Sequence, residues 1–403
     1  MTKPFYKKLL EKIIEGVLAL SGSITSLAVL LIVIFLFKEG FGLFKRSPIA
    51  DGFVLVVNKN NPVTTIDSKT VKKIFDQDIT SWESINGKKD TIILFRLSDI
   101  STYYSEAQIG SNLENLPACV NRLTDSLPNI IGFIPQSYTK DNFTGKVILP
   151  KNVTVGEFFG GKEWYPTAEP SAQFGVLPLL LGTLWVSLGA ILLSLPLGLA
   201  VAIYMAEVAN PKVRNIFKPI IELLAGIPSV IYGFFGLVVI VPLIQTVFNL
   251  PVGETALAGS IILAIMALPT IITIAEDSIR TTPRSMKEAS LALGATRWQT
   301  IYRIVIPYSI SGITAAAILG IGRAVGETMA VLMVTGNAAV MPHSFLQPVR
   351  TIPATIAAEL GESSQGGAHY QALFILGCIL FVITLIINLT VEYVSSRNKL
   401  AKR

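Results

Sequence analysis

Charged side chains are scarce in this sequence: Asp, Glu, Lys and Arg together make up 15% of 403 residues, against 51% hydrophobic. With a mean hydropathy of +0.59, that scarcity excludes an ordinary soluble protein of this length and points to a polytopic membrane protein. Cysteine is limited to Cys119, in a hydrophilic stretch, and Cys378, in an apolar one, so neither a disulfide framework nor a cysteine metal site is expected. The two histidines, His343 and His369, have no nucleophile at a recognisable spacing. Both are expected to be solvated, and an enzyme is disfavoured. No Gly-x4-Gly-Lys-Ser/Thr loop is present to cradle a nucleoside triphosphate. No catalytic residue, metal site or cofactor is expected.

What the sequence has in abundance is long apolar runs. A bilayer core of about 30 Å takes roughly 20 apolar residues per helix, and six runs qualify: 14–37, 176–206, 219–247, 255–275, 309–335 and 370–394. The fold class that follows is an all-α polytopic membrane bundle of six transmembrane helices, with a small α/β insertion outside the membrane. The first run is too long for a signal-peptide core, and Lys38-Glu39-Gly40-Phe41 offers no small-x-small cleavage site, so it reads as an anchor. Lys and Arg are retained in short cytoplasmic loops. Sixteen of them fall in the N-terminal tail, the loops 207–219 and 276–308 and the C-terminal tail, whereas the loops 248–254 and 336–369 hold only Arg350. Both termini are therefore expected in the cytoplasm of a cell whose inner or plasma membrane holds the chain. The net charge of +6 reports this topology. No basic patch interleaved with aromatics suggests nucleic acid.

Residues 38–175 form the one hydrophilic block large enough for a domain. Phe53–Val57, Thr91–Phe95 and Ile130–Ile134 read as strands, and Ser68–Phe75 as a helix with a serine cap. The expected organisation is a tail and first span over 1–37, an extracytoplasmic insertion over 38–175, a membrane core over 176–397 with a loop at 276–308, and a basic tail over 398–403.

Two motifs carry mechanism. In the 276–308 loop, Lys287-Glu288-Ala289-Ser290-Leu291-Ala292-Leu293-Gly294 precedes Ile304-Val305-Ile306-Pro307. This predicts a short helix stopped by Gly294, with Ala289 and Ser290 keeping one face thin and Pro307 setting the start of span five. Within span five, Arg323 and Glu327 interrupt an apolar run. A central Arg costs about 2.5–3.5 kcal/mol on insertion scales, so both should face the bundle interior or a water-filled path, sharing one helical face at i,i+4. A guanidinium fork suits an oxyanion such as phosphate. Gly322 and Gly326, with Gly312, Ala316, Gly320 and Ala330, predict close helix packing.

The loop pattern resembles the EAA loop of ABC importer permeases, with Ser290 for alanine and Ile306 for leucine. Residues 150–397 resemble the permease subunits of bacterial phosphate ABC importers, of the PstC type. That likeness rests on Glu157-Phe158-Phe159-Gly160-Gly161 with Trp164-Tyr165-Pro166, on Leu223-Leu224-Ala225-Gly226-Ile227-Pro228-Ser229, and on Gly322-Arg323-Ala324-Val325-Gly326-Glu327-Thr328. The insertion resembles one lobe of an extracytoplasmic phosphate-binding protein. It departs where the family has Arg-x3-Ser-Gly-Thr and this chain has Arg96-Leu97-Ser98-Asp99-Ile100-Ser101-Thr102, which implies a degenerate, non-binding lobe. The resemblance implies a non-catalytic permease subunit whose Glu288, Ala289, Ser290, Gly294, Ile304 and Pro307 couple to ABC ATPase subunits, and whose Arg323 and Glu327 line the path of phosphate. It also implies a second permease subunit, a phosphate-binding protein and membrane lipid as partners. A permease for molybdate or tungstate, or a membrane-anchored phosphate sensor, remains the alternative.

Overall fold

The computed structural model describes the backbone of residues 5–400, apart from 86, 88, 141 and 142, and the side chains of 11–393. Lys3, Lys7 and Lys8 of the N-terminal tail, and the expected basic tail at 398–403, lie outside the residues whose side chains are described.

The chain opens with α1 (Phe5–Gly40), whose apolar side chains from Ile13 onward are almost all exposed and which touches the rest of the bundle through the last helix, where Phe35 meets Phe374 edge-on at 5.6 Å. A helix apolar all round, with every backbone group bonded internally, fits a lipid environment. The hydrophilic insertion follows as β1 (Phe53–Val57), β2 (Thr65–Ile66), α2 (Ser68–Phe75), β3 (Ile93–Arg96), α3 (Glu106–Ile109), α4 (Leu116–Ser126), β4 (Ile130–Pro135) and β5 (Lys146–Pro150). The five strands form one mixed sheet in the order β2-β5-β1-β4-β3. Both faces are covered. Leu55, Val57, Ile131 and Phe133 pack under α2, and the alternate residues Val56, Ile130 and Ile134 pack under α4, which explains why these strands read as continuous apolar runs. The cap of α2 is Asp67, whose carboxylate accepts from the Thr70 N–H, not the expected Ser68.

From α5 (Val155–Gly160) and the hairpin β6 (Trp164–Tyr165)–β7 (Gln173–Phe174), the chain leaves the lobe and packs on the membrane bundle. Phe158, Trp164 and Phe174 share a core with Leu43 of the first span, Leu179 of the second, Ile352, and Leu373 and Leu376 of the last. Above that core, Glu359 accepts from Arg350 (Nη1–Oε1, 2.7 Å) and from Trp164 Nε1 (3.1 Å), and lies 2.9 Å from His369 Nε2. The expectation that both histidines are solvated is corrected: His343 is exposed, but His369 is partnered and largely enclosed.

The bundle proper comprises α6 (Leu177–Ile203), α7 (Pro211–Ala225), α8 (Ser229–Phe235), α9 (Val241–Phe248), α10 (Ala256–Arg280), α11 (Arg284–Ala292), α12 (Arg297–Thr300), α13 (Ile306–Gly326), α14 (Met329–Val334), α15 (Ile352–Glu359) and α16 (Ala368–Leu400). Among the described residues, six stretches are long and apolar enough to cross a membrane: Glu11–Lys45, Leu177–Val208, Ser229–Phe248, Ala256–Arg280, Arg297–Gly326 and Ala368–Tyr393. The central helix α10 packs against α6, α7, α13 and α14. Two expected boundaries are corrected. Span three begins at Ser229, because the chain breaks at Gly226-Ile227-Pro228 and leaves α7 as a separate helix. Span five begins at Arg297 and ends at Gly326, so Pro307 does not start it. Instead, a π turn over Ile301–Val305 precedes Pro307, as another over Gly236–Ile240 precedes Pro242. Each proline ring would crowd the carbonyl four residues back and donates nothing to it. The widened turn absorbs that defect without ending the helix.

Candidate functional site

The loop between spans four and five holds a short helix with a sharp stop. Helix α11 ends at Ala292, and Gly294 stands at φ +84°, with its N–H donating to the Leu291 carbonyl (3.0 Å) and Ala295 N to that of Ser290 (3.2 Å). A left-handed residue turns the chain sharply here, and glycine alone takes it without a Cβ clash. Thr296 and Gln299 then form a reciprocal capping box that starts α12. Ser290 Oγ meets Thr300 Oγ1 at 3.0 Å and closes the loop on itself. No side chain of α11 is buried, and Glu288 and Ala289 face solvent. Leu293 is 89% and Trp298 63% exposed. Sequence reasoning passed over these two large apolar side chains, although apolar residues in a polar loop were the available signal.

Ile304 lies inside the π turn and Pro307 follows it, both half-buried within span five. Below the bundle, the Glu276 carboxylate, 1% exposed, is held by Arg214 Nε at 2.7 Å, with Lys218 and Arg280 each at 3.7 Å, while Lys218 also reaches Asp277 at 2.9 Å. The pairing with Arg280 was legible as an i,i+4 spacing. Arg214 and Lys218 come from α7 and were not.

Arg323 and Glu327 do not share a helical face. Helix α13 ends at Gly326, Glu327 is extended (φ −71°, ψ 134°), and the helix resumes at Met329. Among the described residues no ion pair joins the two, and Arg323 has no carboxylate partner. Both are half-buried. Gly322 and Gly326 face open space on this side, so the expected close packing at that pair is corrected; Gly312 and Gly320 do pack tightly, against Ser278 and Ile271. A second break lies nearby. The Tyr232 hydroxyl bonds the Leu224 carbonyl at 2.8 Å across the α7–α8 interruption, and it sits within reach of the Arg323 charge. Broken helices at membrane depth persist only where protein or a water-filled cavity satisfies the freed backbone groups. Arg323 thus stands in the last turn of α13, half-buried beside one break and near the other.

In the lobe, the loop after β3, where the chain departs from the family's Arg-x3-Ser-Gly-Thr, is closed by its own acid. The Arg96 N–H donates to Asp99 Oδ2 at 2.9 Å, and the Arg96 guanidinium lies over the Phe75 ring at 5.6 Å and donates to the Phe75 carbonyl at 3.4 Å.

Six apolar spans with a short, solvent-facing helix between spans four and five define a polytopic membrane protein. Residues 194–400 match the profile of binding-protein-dependent transport system inner membrane components, and the chain belongs to that family. Residues 35–148 match the PBP superfamily domain. The chain is 40% identical over 251 residues to the probable ABC transporter permease protein YqgH of Bacillus subtilis, covering 62% of this chain and 81% of that one. It is 39% identical over 259 residues to the phosphate transport system permease protein PstC of Mesorhizobium japonicum, covering 60% and 78%. Among solved structures, an inward-facing MetNI methionine ABC transporter aligns over 55% of this chain and 96% of its own, with 20% identity and a TM-score of 0.44. The chain is a multi-pass inner-membrane permease with a binding-protein-like insertion.

Proposed function

We propose that this chain is the permease subunit of an ATP-driven phosphate importer, forming one half of the translocation path with a second permease subunit. ABC ATPase subunits engage α11, and an extracytoplasmic phosphate-binding protein delivers the anion at the lobe end of the bundle. Both termini and α11 lie in the cytoplasm, as the concentration of Lys and Arg in those segments supports. The observation that carries the phosphate reading is Arg323: a guanidinium without a carboxylate partner, beside a helix break, in a chain 39% identical to a phosphate permease. Its planar fork donates parallel charge-assisted hydrogen bonds to paired oxyanion oxygens. Glu327, released from the helix, accepts the proton of a partly protonated phosphate, which fully ionised sulfate lacks.

The chain itself is non-catalytic, and ATP hydrolysis belongs to the partner. Closure of the ATPase pair displaces α11, and the bundle shifts between its access states by the difference in partner affinity for them. The lobe binds no phosphate, because Ile100 and Ser101 stand where the family has the Ser-Gly pair, and it serves as a fixed shelf for the binding protein. The complete transporter, reconstituted in proteoliposomes, takes up radiolabelled phosphate in the presence of excess molybdate, tungstate or sulfate. Uptake abolished by molybdate or tungstate would move the assignment to those oxyanions.

A further inference from the structure

Helix α11 is poorly anchored for an element that must transmit force. None of its side chains is buried, and among the described residues two side-chain bonds tie it to anything else. One, Ser290–Thr300, only closes the loop onto α12. The other runs to a different span: Lys287 Nζ lies 2.5 Å from Glu207 Oε1, with the two side chains 22% and 12% exposed. A fully exposed pair would be screened by salt and free to wander. This one is shielded over most of its surface, so its attraction is stronger and its geometry held.

Glu207 does not sit on ordinary helix. It belongs to a π turn over Tyr204–Val208 that ends span two, closed by Ala209 N donating to the Tyr204 carbonyl at 2.8 Å. Directly above it, Ala202 packs with Ala275 and Ile279 of α10 and with Val305, Ile313 and Ala316 of span five, while Ile203 and Ala206 lie against the same cluster. Val305 is itself in the π turn within the first part of span five. The loop therefore meets the bundle at two π turns, one reached through the chain and one reached through Lys287. The apolar cluster between them joins spans two, four and five, the last of which carries Arg323.

We propose that the Glu207–Lys287 pair is the strut through which displacement of α11 is passed to span two, so that spans two and five move together. The inference rests on the reading of α11 as the ATPase-engaging helix. Both residues are positioning residues: neither touches phosphate, and neither holds the ATPase. A lever joined to span five alone would turn that span about Pro307. Joined to both, it moves the whole cluster, and with it the arginine face.

The test uses the complete transporter in proteoliposomes and reads inorganic phosphate transported per ATP hydrolysed. Glu207→Gln and Lys287→Met each lower that ratio by roughly twofold to thirtyfold, the span of coupling changes seen for single residues in such networks, while the ATPase subunits still co-purify. Lys287→Arg, which keeps the charge, keeps the ratio, and the exchange Glu207→Lys with Lys287→Glu recovers most of the loss. A wild-type ratio in both neutral variants overturns the strut, as does an exchange no better than the single variants. Loss of the ATPase subunits from Glu207→Gln also overturns it, because the pair would then be a holding site. Failure of the underlying reading of α11 has a different signature: Glu288→Lys and Gly294→Val would leave both ATPase association and uptake intact.

Discussion

Glu359 is the residue whose charge state the surrounding structure most clearly controls. Burial by itself would raise its pKa, but the hydrogen bonds from His369 and Trp164 and the charges of Arg350 and His369 outweigh burial and hold it below the ordinary carboxylate value of 4.5. A carboxylate with a lowered folded pKa gives stability that is whole above its ordinary value and is lost as pH falls through the lowered one. The apparent unfolding temperature of the detergent-purified protein should therefore drop as pH is taken below 4.5, and Glu359→Gln should remove that part of the slope. At pH 7 the same substitution leaves Arg350 without its charged partner and costs about 2 kcal/mol. Arg323 carries the second prediction at this scale. Arg323→Lys keeps the charge but loses the fork, so phosphate uptake should fall on the order of tenfold, the worth of about one good charge-assisted hydrogen bond, at unchanged subunit level on immunoblots. Uptake at the wild-type rate would remove Arg323 from the path. The charge of Arg323 was legible in the sequence as a cost within an apolar run. Its separation from Glu327 was not, because the i,i+4 rule holds only while the helix continues, and nothing in Gly326-Glu327-Thr328 by itself marks the break.

Among the elements, α11 and its glycine stop matched expectation, since a left-handed cap is a local property written in three or four residues. Gly294 has open space around the position a Cβ would take, so Gly294→Val strains the backbone alone, by about 1–2 kcal/mol. The ATPase subunits should co-purify with that variant in reduced amount, and full recovery of the complex would show that the loop end tolerates another course. The π turns were invisible beforehand. Pro307 read as the start of span five, but how a helix absorbs a missing donor depends on the neighbours that hold it straight, and those lie on other spans. The same holds for α7. Its apolar residues read as the start of span three until the Gly226–Pro228 break, bridged by Tyr232, separated the two.

For the whole molecule, the lobe and the bundle are joined through the hairpin at 164–174. Lys72 on α2 reaches Glu163 at 3.0 Å, Ser68 Oγ meets Ser171 Oγ at 2.8 Å, and Trp164 sits 1% exposed in the core that binds spans one, two and six. Trp164→Ala should cost about 3–5 kcal/mol, read as a lower unfolding temperature and as earlier proteolytic release of the lobe. A variant that unfolds at the wild-type temperature would show that the lobe docks by other contacts. Composition and apolar run length were enough, without coordinates, to determine a six-span membrane protein with one folded insertion, because transfer into lipid is a sum over local residues. The loop pattern likewise announced its own helix and stop. Tertiary structure alone decided where helices break, which carboxylate meets which cation, and that Arg323 stands open while Arg350 is paired. Those outcomes depend on segments up to about two hundred residues apart meeting in space, as Trp164 and Glu359 do, and no local pattern encodes such a meeting.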